Sequence, residues 1–357
     1  MNSSSRSTKS WDRSMDNDAI ATRYMPAAVE ALKAFPINPS RTELVMLSEN
    51  VTFRVSNIDD GAPYVLRLHR PGYHALAALN SERIWTGALA EAGIATQTPV
   101  QTHDARYFHQ VDIPNTGEQR YAGMTEWVEG TVISDYLGED ASIEERKRCF
   151  HQIGALAASI HNQSSTWTPP ADFERPSYDS DGLLGEAPLW GRFWEHPDMD
   201  RAETELLLRT RSHIRDVLKN YRATSTNYGL IHADLDPANV LVQDGRVTLI
   251  DFDDSGYGWH LYELSAAVFA EIEKPGFPDI CQALVAGYRD KRSLSESDLA
   301  LLPMFLLIRG MALIGWISER PEVDNTELFK EVKEWVLAKC ASFQPPLSAQ
   351  SAAQGLM

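Results

Sequence analysis

The 357-residue chain has only three cysteines, Cys149, Cys281 and Cys340. They stand far apart, with none of the close spacing of a zinc site or a redox pair. They read as reduced thiols of a cytoplasmic protein, since disulfide frameworks need paired and abundant cysteine. Positive charge is also scarce: 33 Lys and Arg face 50 Asp and Glu, a formal net charge of −17. Binding to a phosphate backbone rests on clustered Lys and Arg, so the composition argues against a nucleic-acid partner. No run approaches the ~20 apolar residues of a membrane span, which argues against a membrane partner. There is no glycine before Gly61 and no lysine between Lys33 and Lys147. Internal repeats and coiled-coil heptads are absent, and nothing in the composition sets an oligomeric state.

What is present has the alternating texture of a mixed α+β protein. Met1–Asp18 is rich in Ser, Arg and Asp with no apolar core, and reads as a disordered leader ending near residue 20. Apolar residues at helical spacing run from Tyr24 to Phe35, closed by Pro36 and Pro39. The period then becomes that of strands: Leu44–Leu47, Val51–Val55 and, after the turn Asp59-Asp60-Gly61, Tyr64–Leu68. Leu76–Ala92 is an amphipathic helix carrying Glu82, and strands are expected at Gln97–Val100, Arg106–Val111 and Gln119–Val128. From Ser142 the pattern is helical: Glu144–His161, Arg201–Tyr221, Trp259–Ile272, Asp279–Arg289, Asp298–Glu319 and Thr326–Lys339. Between the first two of these lies Asn162–Asp200, rich in Pro, Gly and aromatics and expected as an ordered insertion. Ser342–Met357, with Pro345-Pro346, reads as a flexible tail.

The most informative stretch is Gly229–Glu263. A short apolar strand ends at His232, and a polar loop with Pro237 follows, running to Asn239. Val240–Val242 and Val247–Ile250 flank an Asp244-Gly245 turn, a strong hairpin signal. The second strand leads into Asp251-Phe252-Asp253-Asp254. Phosphoryl transfer needs a carboxylate for the attacking hydroxyl and hard oxygen ligands for Mg²⁺. Asp234 suits the first role, with Asn239 and Asp251 suiting the second.

The order His232-Ala233-Asp234, Asn239, hairpin, Ile250-Asp251-Phe252-Asp253 resembles the aminoglycoside phosphotransferase superfamily, which is kinase-like and writes His-Gly-Asp-x-x-x-x-Asn and Ile-Asp-Phe/Trp-Asp. The resemblance covers about Arg41–Glu319. It implies a bilobal protein-kinase-like α+β fold, with an antiparallel-sheet N-lobe over 21–130 and a mostly helical C-lobe over 131–340. It implies catalytic Asp234 and Asp251, Mg²⁺ held by Asn239 and Asp251, and ATP held through Asn50, Arg67, Glu82 and the hinge backbone at Glu126 and Val128. Arg67 stands where the family has a strand lysine, and with no lysine nearby nothing else can take that place. The loop at Ser48-Glu49-Asn50 lacks the glycines of protein kinases. Glu263 stands where the family has an aspartate, in the position that holds the catalytic loop. His161, at the end of its helix, reads as structural.

The activity implied is transfer of the γ-phosphoryl group of ATP to a small-molecule hydroxyl. Carboxylates at Asp236, Asp253, Asp254, Glu263, Glu271 and Glu273, with Trp190, Trp194 and Trp259, suggest a cationic amino-alcohol acceptor. Two alternatives stay open. One is a Ser/Thr protein kinase like the bacterial stress-response enzyme of the same superfamily; the other is a nucleotide-binding pseudokinase regulator.

Overall fold

The computed structural model describes residues 17–47, 50–138, 140–321 and 325–344. The leader before Asn17, the tail beyond residue 344, and Ser48 and Glu49 of the expected phosphate loop lie outside the described residues. In chain order the elements are α1 (Asn17–Leu32), β1 (Pro39–Leu47), β2 (Val51–Asn57), β3 (Pro63–Leu68), α2 (Leu76–Glu91), β4 (Phe108–Ile113) and β5 (Glu118–Glu126). Then come β6 (Thr131–Val132), α3 (Ile133–Leu137), α4 (Ile143–Thr166), β7 (Ser177–Tyr178), α5 (Ser180–Leu184), α6 (Arg201–Asn220) and β8 (Tyr228–Ile231). The last are β9 (Val240–Gln243), β10 (Arg246–Leu249), β11 (Gly256–Trp259), α7 (His260–Val268), α8 (Phe277–Arg289), α9 (Glu296–Leu299), α10 (Leu302–Ser318) and α11 (Thr326–Ser342). They gather into two compact units: Met1–Thr131 with Pro169–Glu174 and Leu241–Asp253, and Val132–Thr168 with Arg175–Val240 and Asp254–Met357.

The first unit is built on a five-stranded antiparallel sheet in the order β1-β2-β3-β5-β4. Alternation along β2 buries Val51, Phe53 and Val55, which join Leu66, Leu68, Val111 and Met124 and the Ala27-Ala28-Ala31 stripe of α1 in one apolar core. Helix α1 starts at Asn17 rather than Tyr24, because Ile20 extends the same face and is buried at 1%. Gln97–Val100 is not a strand. Pro99 has no N–H to give a ladder, and only a single bridge to Thr125 forms there. In the hairpin that follows Val240, Asp244 and Gly245 both take positive φ, 49° and 75°, as a two-residue turn with right-handed strand twist requires.

The second unit is mostly helical. Helix α4 opens with a capping box in which the Ser142 hydroxyl accepts from Glu145 N–H and Glu145 reaches back to Ser142 N–H. It packs closely on α8: a Cβ at Gly154 would sit 2.0 Å from Leu284 O, and one at Gly287 would sit 1.9 Å from His151 O. Only glycine lets these two backbones touch. The stretch Glu296–Ser318 is long and apolar enough by composition to cross a membrane, with a mean hydropathy of 1.9, a feature that the sequence expectation passed over. Here 72% of that window is buried inside the protein, against neighbours that include α7 and α11. A helix apolar on every side is what a central core position demands. Strands β7, β11 and β8 form a small sheet in that order, with β8 antiparallel to β11, and β8 delivers the chain to His232.

Candidate active site

In the first unit the candidate side chains hang from β3, α2 and the segment after β10. Arg67 Nη1 donates to Asp251 Oδ1 at 2.7 Å. Burial alone would lower the Arg67 pKa; the carboxylates of Asp251, Asp253 and Glu82 override it and raise it, so the guanidinium stays charged. Asp251 has φ +62°, a left-handed conformation that costs a non-glycine residue of order 1 kcal/mol and aims its carboxylate. Phe252 turns inward, edge-on to Trp85 of α2 at 5.7 Å. Arg67, Glu82, Val65, Met124 and Phe252 share the wall of one cavity of about 70 Å³. Val65 and Arg67 thus face the same side of β3, as strand alternation requires.

Asp253 is buried in the same unit. Its Oδ2 accepts from Asn50 Nδ2 at 3.1 Å, Asn50 Oδ1 accepts from Arg70 N–H at 2.9 Å, and the Asp253 carbonyl lies 2.8 Å from His74 Nε2. Burial works to raise the Asp253 pKa, but hydrogen bonding and charge from His69, with the charges of Arg67 and His74, hold it well below the usual carboxylate range. Asn50 therefore ties the loop after β1 to the segment after β10. At the end of β5, Glu126 N–H donates to Thr98 O at 2.8 Å and Trp127 N–H to Pro63 O at 3.1 Å.

In the second unit the loop after β8 carries Asp234 and Asn239 together. Asn239 Nδ2 donates to Asp234 Oδ2 and to Asp234 O, both at 2.9 Å. With its nitrogen so used, Asn239 Oδ1 is the atom of that amide able to ligate a hard cation. Asp236 caps the turn Pro237–Asn239 by accepting from Ala238 N–H at 2.8 Å, and burial, with the Asp234 charge beside it, pushes its carboxyl up to about 6. Asp234 Oδ1 accepts from Arg309 Nη2 at 2.6 Å, a partner on α10 that the sequence reading did not single out. An arginine inside an otherwise apolar helix was the available signal.

Glu263 of α7 is fully buried, and both of its oxygens grip the loop: Oε1 accepts from His232 N–H at 2.8 Å and Oε2 from Ala233 N–H at 2.7 Å. Ala233 takes φ +68° where the superfamily writes glycine. Burial pushes the Glu263 carboxyl up to about 7 against the pull of those two N–H bonds. His161 is buried in the same place, stacked on His260 at 4.0 Å and 2.9 Å from Tyr288 OH. Burial holds it neutral, and its position is that of a packing residue.

The tryptophans grouped above with a cationic acceptor are core residues. Trp259 is stacked on Tyr221 at 5.1 Å, Trp194 already carries the Arg211 guanidinium at 4.5 Å, and Trp190 is 7% exposed beside Tyr178. Glu271 is buried and paired with Arg146 at 3.1 Å and Lys274 at 2.6 Å, so its charge is answered from within. Among the described residues no three His, Cys, Asp or Glu side chains form a metal cluster. The hard oxygens of Asp251 and Asn239 match Mg²⁺ chemistry, which asks for few protein ligands.

An antiparallel sheet bearing a cation–carboxylate pair, with a helical unit bearing a carboxylate–amide loop, defines a kinase-like phosphotransferase. The chain belongs to the phosphotransferase enzyme family, matched over residues 43–296, a family that includes small-molecule kinases. It is similar to a microcompartment-associated aminopropanol kinase of known structure: 32% identity, TM-score 0.75, covering 89% of this chain and 95% of that one. An amicoumacin kinase solved with AMP-PNP and Ca²⁺ shares the fold at 18% identity and TM-score 0.73, covering 90% of this chain and 96% of that one. The homoserine kinase of Neisseria meningitidis is 26% identical over 234 residues, 64% of this chain and 67% of that protein.

Proposed function

We propose that this chain transfers the γ-phosphoryl group of ATP to the hydroxyl of a small amino alcohol. The observation that carries the reading is the Asp234–Asn239 pair on the loop after β8, in a chain whose other unit presents Arg67 against Asp251. Asp234 orients the acceptor hydroxyl and takes its proton as the bond to phosphorus forms. Arg67 answers the phosphate charge, held in place by Asp251 and the Glu82 charge. The Glu126 carbonyl and Val128 N–H take the adenine edge, since the Glu126 N–H is already committed. Asn239 Oδ1 and Asp251 would hold Mg²⁺, which neutralises charge on the phosphates when bound. The N-lobe assignment to 21–130 and the C-lobe assignment to 131–340 belong to the same reading, as does a cytoplasmic site where ATP is at hand.

The acceptor class rests on likeness: the similar structure acts on aminopropanol, an amino alcohol. Asp236 and Asp254 are the carboxylates we assign to its ammonium group. The test is ATP consumption with aminopropanol, homoserine, glucose and a serine-rich protein as rival acceptors, in wild type and Asp234→Ala. Turnover should appear with the amino alcohols and fall by ~10² to 10⁴ in the variant. Equal turnover on glucose or on protein serine would overturn the acceptor class. A variant within a few-fold of wild type would overturn the role of Asp234.

A further inference from the structure

Arg309 is the only charged residue of α10, in a helix otherwise apolar from Leu302 to Ser318. A guanidinium in such a place is costly unless its charge is answered. The answer is Asp234, at 2.6 Å, with the Arg309 and Asp234 side chains 15% and 31% exposed. Burial alone would lower the Arg309 pKa; Tyr262 and Asp234 raise it, so the group remains a cation. Behind it, the fully buried Tyr262 hydroxyl lies against both the Arg309 guanidinium and the Trp190 indole. Arg309 Nε, Tyr262 Oη and Trp190 Nε1 are all buried without a well-aligned hydrogen bond. The Arg309 guanidinium and the Trp190 indole both bring N–H groups toward the Tyr262 oxygen, which as an acceptor seats the guanidinium from the side away from solvent.

We propose that Arg309, seated by Tyr262 and Trp190, is a positioning residue for Asp234. Arg309 holds Oδ1 and Asn239 holds Oδ2, so the carboxylate cannot turn without breaking one of two bonds. Each oxygen keeps a lone pair for the arriving hydroxyl. The loose transition state of phosphoryl transfer asks little of the base in strength and much in placement. A misplacement of about 1 Å costs ~10² in rate. The proposal rests on the function assigned above to Asp234.

Its test uses the full chain with Mg²⁺, ATP and aminopropanol, and in parallel hydrolysis of ATP by water, which needs no acceptor. In Arg309→Met, kcat should fall ~10² while both KM values stay within about three-fold. Arg309→Lys, which keeps the charge, should recover part of that loss. Tyr262→Phe, which removes only the hydroxyl, should fold normally and lose kcat by a smaller factor. In an Asp234→Asn background the Arg309→Met change should add almost nothing, because the two act as a unit. If Arg309→Met fails to fold, the Arg309→Lys and Tyr262→Phe rates decide. Wild-type kcat in both of those overturns the proposal, as does a loss confined to the acceptor KM, which would make Arg309 a binding residue. Additive losses with Asp234→Asn overturn it too. Arg309 variants that stay active while Asp234→Ala is dead refute this proposal alone. An active Asp234→Ala refutes the parent reading first.

Discussion

Glu263→Gln isolates one atom of the loop support and one charge in the core. Both oxygens of Glu263 accept backbone N–H bonds, and the side chain is fully buried. Its carboxyl is pushed up to about 7, against 4.5 in an unexposed-to-strain peptide setting such as the unfolded chain. A raised acid pKa means that the folded state holds the proton longer than the unfolded state does. Below pH ~4.5 both states are protonated and no penalty exists. As pH rises, the unfolded chain ionises first, so stability falls until the folded pKa near 7 is passed. At about 1.4 kcal/mol per pH unit the full loss is roughly 3 kcal/mol. Glutamine cannot ionise and escapes this loss, but it keeps one acceptor where the carboxylate has two. An unmade bond to a buried N–H costs about 1–3 kcal/mol. Urea unfolding at pH 5, 6, 7 and 8 should therefore show the variant gaining on wild type by roughly 2.5 kcal/mol across the range, the first part of the loss falling below pH 5. The assay needs only the two midpoints and slopes at each pH. Parallel curves, differing by a constant within about 0.5 kcal/mol, would refute the reasoning. They would mean that the two N–H bonds outweigh burial and Glu263 titrates as an ordinary carboxylate.

Two further outcomes follow from the site. Asp251→Asn removes the charge opposite Arg67 and leaves only a neutral amide oxygen for the Mg²⁺ role proposed for Asp251, so isothermal titration should show weaker nucleotide binding in Mg²⁺; affinity equal to wild type with or without chelator would favour the regulator reading. At Ala233, φ +68° admits glycine freely and a β-branched residue poorly. Ala233→Gly should stay within about 1 kcal/mol of wild type, relief of strain offsetting lost methyl burial and chain entropy. Ala233→Val should lose more than about 2 kcal/mol by thermal melt, and equal melting of the two would show that the loop relaxes.

The sequence by itself determined the parts whose physics is local. Strand alternation fixed which face of β3 carries Val65 and Arg67, and the Asp244-Gly245 turn fixed the hairpin. The spacing His232, Asp234, Asn239, Asp251 named the candidate site because a loop and a hairpin hold those residues at short range in the chain. What lay beyond local reach was decided by tertiary packing. Glu263 reaches across 31 residues of sequence to His232, and Arg309 across 75 to Asp234; neither distance leaves a periodic trace in the chain. Packing also withdrew the tryptophans from the acceptor. A Trp that caps a ligand and a Trp that fills a core look alike in sequence, and only burial beside Tyr221 or under Arg211 tells them apart. The same holds for Glu271: Lys274, three residues on, is a local partner, but the buried pairing with Arg146 comes from 125 residues away. Local propensity is written residue by residue, whereas the partner that satisfies a buried charge is chosen only when distant segments meet.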